Sequence, residues 1–524
     1  MDTPFSTLTT PTVVDDVPFE EHVAIHVDCL ESDASTALAP GPVIETMSKP
    51  AFALYLQSGL VVLMQNLLPP LKTYVFANYL HGSSAHIAQL TALENLAWTL
   101  RVFFAILSDA VPVFGYKRKF WMGVGWLVTL ASLCVMAFSD FGAPYCDPND
   151  YPGCWHPNAN ITSGAFDLAA PSRVSWYRIP TFFATLGVVI VAASADGLLV
   201  EYSQREPIVT RGQIMVMTYA TTGSGGLNAR FFNQFFLNGE RYGGTYSFSA
   251  GPNVAYYFAI SMALLGLGLV VGMFHDTKPA LVKQESSSSS QRWSSGLWKL
   301  LHNRGIAQLL AFRFAFNLFS MISGAPILSW VTNLDMGWIN ITPRLLFISA
   351  TMYYGRFALQ WNWRRVLAFW TFSNIVLMAL ATFFVICDVS RNAYLYSVLL
   401  VLTGVPVAII NLIMAVIAGL WASIRDLNVP IANKVRSWLL DGFPATMSLK
   451  DDAETKHHVA YMHLIAFAIQ LIGLVWIVLL PSQKIPLAMM KQRGGATSVG
   501  VLVALGYVAL MAFSWQQNVH SYAQ

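Results

Sequence analysis

The residues best placed to do chemistry are ionisable side chains inside long apolar runs. Arg101 lies in ENLAWTLRVFFAILSD and Asp196 in ASADGLLVEYS. An Arg or Asp at the centre of a bilayer costs about 2.5 to 3.5 kcal/mol on insertion scales, so each calls for a partner or an aqueous cavity. Glu94 stands seven positions before Arg101, about two turns, which on one continuous helix puts both on the same face toward a polar interior. Asp196 and Glu201 are five apart, about 140° around a helix, so Asp196 points into the span while Glu201 marks its edge. Arg230, Arg313 and Arg356 are further arginines in apolar runs; snorkelling or a structural ion pair is the simple role for each, and lining a pathway the functional one. Asp196 is the candidate carrier if protons are the coupling ion. GxSxG, HExxH and GxxxxGK[ST] are absent, so no catalytic residue, cofactor or metal site is expected.

Of five cysteines, none has zinc-ligand spacing. Cys146 and Cys154 in CDPNDYPGC are close enough to bridge in an oxidising compartment, and the glycosylation sequon at Asn160 follows, which together favour an exoplasmic loop over two free thiols.

The elements that must hold these residues follow from composition. Of 524 residues, 55% are hydrophobic and 11% charged, against about 25% charged in soluble proteins. Most apolar surface must therefore face lipid. The balance of 31 Lys plus Arg against 28 Asp plus Glu is too even for a nucleic-acid binder. A bilayer core of about 30 Å needs about 20 apolar residues per helix. Twelve runs qualify, near 52–76, 88–110, 120–138, 179–201, 212–237, 254–274, 306–331, 343–360, 366–387, 394–422, 459–480 and 498–515. The expected fold is an all-α polytopic membrane protein of about twelve transmembrane helices in two six-helix bundles, the second divergent.

Its expected divisions are an acidic disordered cytosolic tail (1–50), an N-terminal bundle (51–275), a Ser-rich cytosolic linker with an interfacial helix (276–305), a C-terminal bundle (306–515) and a short tail (516–524). With a cytosolic N-terminus the outer loops hold only Arg173, Arg178, Arg241, Arg391, Lys484, Lys491 and Arg493, as the positive-inside rule requires. The last three would be more comfortable inside. They move there, giving thirteen crossings, if the polar stretch Ser423 to His458 itself crosses.

Between the second and third spans, SDAVPVFGYKRKFW places Asp109 beside Lys117, Arg118 and Lys119. Positive-inside topology alone explains the cations; a gate whose ion pairs break and remake is the functional reading. The cluster Gly223, Ser224, Gly225 and Gly226 allows close helix approach or local unwinding, with packing the simpler role.

SDAVPVFGYKRK, together with SADGLLVEYSQREPIVTRGQI at 194–214, resembles the folate-biopterin transporter family, a branch of the major facilitator superfamily. LLPSQKIPLAMMKQRGG at 479–495 is similar to a C-terminal element of some members. The likeness covers roughly 51–276 and is weak over most of the second half. It implies a two-bundle transporter moving folate, biopterin or a related small solute by alternating access. The loop motif carries over to Asp109, Gly115, Tyr116, Lys117, Arg118 and Lys119, and the fourth-span motif to Asp196, Glu201, Glu206, Arg211 and Gly212. This chain departs from the family at Thr222, where members often have an arginine, and at Ser423 to His458, which replaces the eleventh span. By this resemblance the arginines would meet substrate carboxylates and Trp98 or Tyr219 a pterin ring. The alternative is a transport-inactive sensor or scaffold that uses the acidic tail as its interaction surface.

Overall fold

Backbone N–H and C=O groups in lipid must bond within the chain, and this chain meets that constraint with helices. The computed structural model describes residues 44–147, 154, 166–207, 210–244, 246–274, 298, 301–324, 327, 330–331, 336–359, 361–418, 422–443, 451–482 and 495–523. Extended pairing among these is confined to isolated bridges. The acidic tail, most of the Ser-rich linker, Asn160 and the basic cluster Lys484 to Arg493 lie outside the described residues.

The helices are α1 (Lys49–Leu71), α2 (Ser84–Thr99), α3 (Arg101–Ala110), α4 (Lys119–Phe138), α5 (Arg178–Gln204), α6 (Gln213–Phe236) and α7 (Pro252–Gly272). There follow α8 (Arg304–Met321), α9 (Met336–Phe357), α10 (Trp363–Ile386), α11 (Ala393–Leu402), α12 (Gly404–Ala418), α13 (Ala422–Gly442), α14 (Ala453–Gly473) and α15 (Thr497–Ala523). The pairs α2/α3 and α11/α12 are single rods broken at Leu100 and Thr403. Pro69 and Pro70 sit inside α1, which passes into a π-helical stretch at Lys72–Tyr79. Nine rods among the described residues are long and apolar enough to cross a membrane by length and composition.

One buried core joins α1, α2, α4, α5, α6 and α7, with Trp126 fully buried in it and Ala415 of α12 packed into it. Two more are built mainly from helices after Asn303, and one of them also takes in Val216 of α6. Contact between rods depends on missing side chains. A Cβ on Gly225 would collide with the Gly59 carbonyl of α1, and one on Gly223 would lie 2.7 Å from Ile348 Cγ1 of α9. The glycine cluster is thus a packing device, and α6 remains helical through it.

Polar contacts at the rod ends fix the direction of each crossing. Tyr79 donates to the Gly142 carbonyl at 3.0 Å, at the end that also carries the Cys146–Cys154 disulfide and the Arg241–Asp147 pair. Lys119 donates to the Phe274 carbonyl at 2.8 Å at the opposite, basic-loop end. The Trp363 N–H donates to Ser482 at 2.9 Å and Asn303 bridges to Gly495, while Arg391 and Lys456 pair with Asp451 at the far ends of α10 and α14. The chain between Ala418 and Asp451 must therefore traverse the molecule, and α13 does so. The polar stretch is a thirteenth rod, packed against α8 and α15. Its low hydropathy reflects a face turned away from lipid.

Two predictions follow from packing and rod ends. Gly225→Ala should cost about 1–3 kcal/mol by overpacking, whereas Gly123→Ala, with nothing within 4 Å of the new Cβ, should be neutral or slightly stabilising; thermal unfolding in detergent compares them. Lys456 and then Arg391 hold the Asp388 carboxyl below the usual range, and Arg391 and then Lys456 hold Asp451 well below it. With folded values depressed, their stabilisation is present above the ordinary value of about 4 and is lost as pH falls through the folded values. Amide exchange around 387–396 and 451–458 should quicken on acidification below that value, and Asp451→Asn should quicken it already at neutral pH.

Candidate functional site

The two sets of helices enclose a central cavity of about 770 Å³. At its wall Arg101 Nη2 donates to Asp196 Oδ2, joining α3 to α5. Arg101 is the first residue after the break at Leu100, and its guanidinium also sits 5.4 Å from the centre of the Trp98 ring. The side chain of Asp196 is 38% exposed, open to the cavity as well as to its partner.

Arg230 of α6 lines the same cavity. Its Nη2 donates to Asn66 Oδ1 at 3.1 Å, and Asn66 is held by its own bond to the Val62 carbonyl at 2.8 Å. Arg313 from α8 and Arg344 from α9 line the opposite wall, with Arg344 5.5 Å from the Phe347 ring centre. Tyr219 and Thr222 line the cavity from α6, the Thr222 hydroxyl donating to the Tyr219 carbonyl at 2.8 Å. The lining thus holds four arginines and one carboxylate, a formal excess of three positive charges.

Trp98, Arg101, Asp196, Tyr219, Arg230 and Arg313 converge here; two candidates do not. Glu94 is buried and pairs with Lys72 at 2.6 Å inside the first set of helices. The two-turn phase relation to Arg101 presumes a continuous helix, and the break at Leu100 separates the two. Arg356 occupies the last turn of α9, where it is exposed and favourably placed against the helix dipole. Conversely, Arg344 was not singled out by its position. The apolar run begins at Pro343, but the helix begins at Met336 and carries Pro343 inside it, so Arg344 lies about two turns deep.

The basic loop forms a separate cluster. Asp109 Oδ1 accepts from Arg118 Nε at 3.1 Å and Nη2 at 3.0 Å, and Arg118 Nη1 donates to Glu201 Oε2 at 2.6 Å. Glu201 also accepts from Arg205, so one guanidinium ties the end of α3 to the end of α5. Gly115 takes φ +78° in the turn, a left-handed conformation suited to glycine. Lys119 caps the last carbonyls after α7 and lies 5.8 Å from the Tyr116 ring centre. Lys117 sits in the same turn, on its exposed edge. These pairs join elements of the first half.

Glu206 is nearly fully buried and caps α6, accepting from the N–H groups of Gly212 and Ile214 at 2.8 Å each. Gly212 sits at φ +107°, which explains a glycine at the end of that motif.

Comparison with known proteins adds the following. Residues 65–141 match the sequence model of the BT1 family. A folate-biopterin transporter from Synechocystis sp. (strain ATCC 27184 / PCC 6803 / Kazusa) is 24% identical over 145 residues, which is 28% of this chain and 23% of the relative. The chain thus spans under a quarter of the length of that curated relative. The crystal structure of a D-xylose-proton symporter superposes with a TM-score of 0.50 at 12% identity, covering 83% of this chain and 98% of the other. The xylose transporter of E. coli in a partially occluded inward-open conformation gives 0.50 at 13% identity, covering 82% and 98%.

The buried pair outside the cavity is testable. Lys72→Met leaves Glu94 without its cation and should cost about 3–5 kcal/mol, most of it recovered in Lys72→Met with Glu94→Leu; thermal unfolding of the two variants in detergent checks this.

Proposed function

We propose that this chain is a membrane transporter of the folate-biopterin transporter family and of the major facilitator type, and that its central cavity carries a folate, pterin or related organic anion by alternating access. Family and fold point to a transporter and not to an enzyme. The observation that carries the choice of an anion is the charge of the lining. Four arginines and one carboxylate in the lining give the cavity a formal positive excess, which favours an anionic occupant. A substrate carboxylate supplies that counter-charge, and charge-assisted bonds from guanidinium groups give it direction. Trp98 and Tyr219 offer aromatic faces for a flat ring. Thr222 leaves the fifth rod without the arginine common in the family, and Arg230 and Arg344 keep the cavity basic in its place.

The Arg101–Asp196 pair supports a role for protons as coupling ion. While Asp196 is ionised it occupies the Arg101 guanidinium. A proton taken up by Asp196 weakens that bond and frees Arg101 for the substrate carboxylate, so that proton and anion load together. The Asp109–Arg118–Glu201 cluster lies at the end that the charge distribution assigns to the cytosol, where a change in those pairs accompanies opening. The disulfide end is then exoplasmic. The polar Ser423 to His458 stretch, which motivates the scaffold alternative, has as its described part helix α13, and Val429 and Pro430 of that helix line the cavity, which favours the transporter reading.

Labelled folate and labelled biopterin supplied to vesicles of cells lacking endogenous transport test this. Saturable uptake of at least one compound is expected. Arg101→Ala should reduce it about 10- to 100-fold, the loss of one charge-assisted bond, and Asp196→Asn should abolish acceleration by a pH gradient. Full pH-driven uptake by Asp196→Asn removes the proton role, and no uptake of either compound by a folded, surface-expressed chain removes the substrate assignment.

A further inference from the structure

Among the described residues six rods precede Phe274 and seven follow His302, and the last of them is α15. One side of it is apolar and exposed, with Leu502, Leu505, Val508, Trp515 and Val519, as a lipid-facing surface should be. Its one inward stripe is different in kind. Gly500 packs against the His302 ring, and further along the same face Ser514 is fully buried and Asn518 nearly so. Both line the central cavity. The Thr99 hydroxyl donates to the Asn95 carbonyl at 2.9 Å, lies 3.3 Å from Ser514 Oγ and accepts from Asn518 Nδ2 at 3.5 Å. Thr99 is the last residue of α2, immediately after Trp98 and two before Arg101.

The rod sits on α2 and also touches α13 and α8, so it covers the seam between the two halves on that side. Polar residues on an otherwise lipid-facing helix are expensive unless they face water or a ligand. We propose that α15 is a wall of the substrate pathway and that Ser514 and Asn518 are selectivity residues. They would read the polar edge of the substrate ring beside Trp98 while the arginines read its charge. The chemistry of asparagine suits this. With one N–H directed at Thr99, the amide retains a carbonyl acceptor and a second N–H, an adjacent donor and acceptor that match the amide-like edge of a nitrogen heterocycle. The proposal rests on the cavity being the substrate site, and its test has an arm independent of transport.

The first arm is labelling of the full chain by a membrane-impermeant, anionic thiol reagent, read above the background of the parent's own cysteines. Asn518→Cys should be labelled and Leu505→Cys, which faces lipid, should not; equal protection of both would overturn α15 as a cavity wall, whatever the transport result. The second arm is uptake of labelled folate and labelled biopterin by Asn518→Ala and Ser514→Ala. KM should rise about two- to tenfold, as for loss of one neutral hydrogen bond, with a changed folate-to-biopterin preference, unaltered maximal rate and unaltered thermal unfolding; Leu505→Ala should match the parent. Unchanged KM and preference in both variants would overturn the selectivity role. If the parent takes up neither compound, the substrate assignment and the selectivity role fall together, while labelling of Asn518→Cys would still support α15 as a cavity wall.

Discussion

A guanidinium at membrane depth must be solvated by something other than lipid, and for Arg101 that is a carboxylate, an aromatic face and an enclosed polar space. Much of the architecture follows from this requirement. The rods have to stand apart around a void of several hundred Å³ and still meet closely enough elsewhere to hold together. Small residues reconcile the two demands. Gly59 with Gly225, and Gly125 with Gly187, let α1 meet α6 and α4 meet α5 almost backbone to backbone. Helices locked this tightly in pairs can carry charged side chains on their other faces without collapsing into the space between them.

The need of Arg101 and Asp196 for polar surroundings was legible because its cost is large. A charge amid twenty apolar residues is conspicuous, and Arg101 and Asp196 meet in the cavity from different helices. What the chain concealed has specific causes. The assignment of Glu94 to the Arg101 face assumed an unbroken helix, and nothing in Trp98-Thr99-Leu100 announces an interruption. Arg344 was hidden by the usual rule that proline begins a span, since Pro343 lies inside α9. Helix α13 resembled a loop because a rod whose faces meet α8, α15 and the cavity needs little of the apolar surface by which spans are recognised. Ser514 and Asn518 carry no charge, and single polar residues near the end of an apolar run give no signal until the neighbouring helix is known.

The two ends of the molecule are organised by ion pairs of another kind. At the basic-loop end Arg118 is shared by Asp109 and Glu201, with Arg205 on the far side of Glu201. At the disulfide end Asp388, Arg391, Asp451 and Lys456 tie the end of α10 to the start of α14. Individually such exposed pairs contribute little, because water screens them. Exposed pairs of this kind are readily exchanged, whereas the glycine seams are held by close backbone approach.

Helix α15 complicates a simple rocking of two halves. Its first residues are bound to the start of the second half, through the bridge between Asn303 and Gly495 and the bond from the Ala496 N–H to the His302 carbonyl. Its body lies mainly on α2 of the first half, and its last turns reach Thr99. A rigid helix attached at one end to each half cannot follow both if they rotate apart. It must pivot about His302 or slide over α2, and in either case Ser514 and Asn518 move relative to Thr99, Trp98 and Arg101. The residues on α15 that face the cavity are therefore those whose distance from the Arg101–Asp196 pair depends on the relative position of the halves. Through them the seam between the halves and the polar lining of the cavity meet in one element.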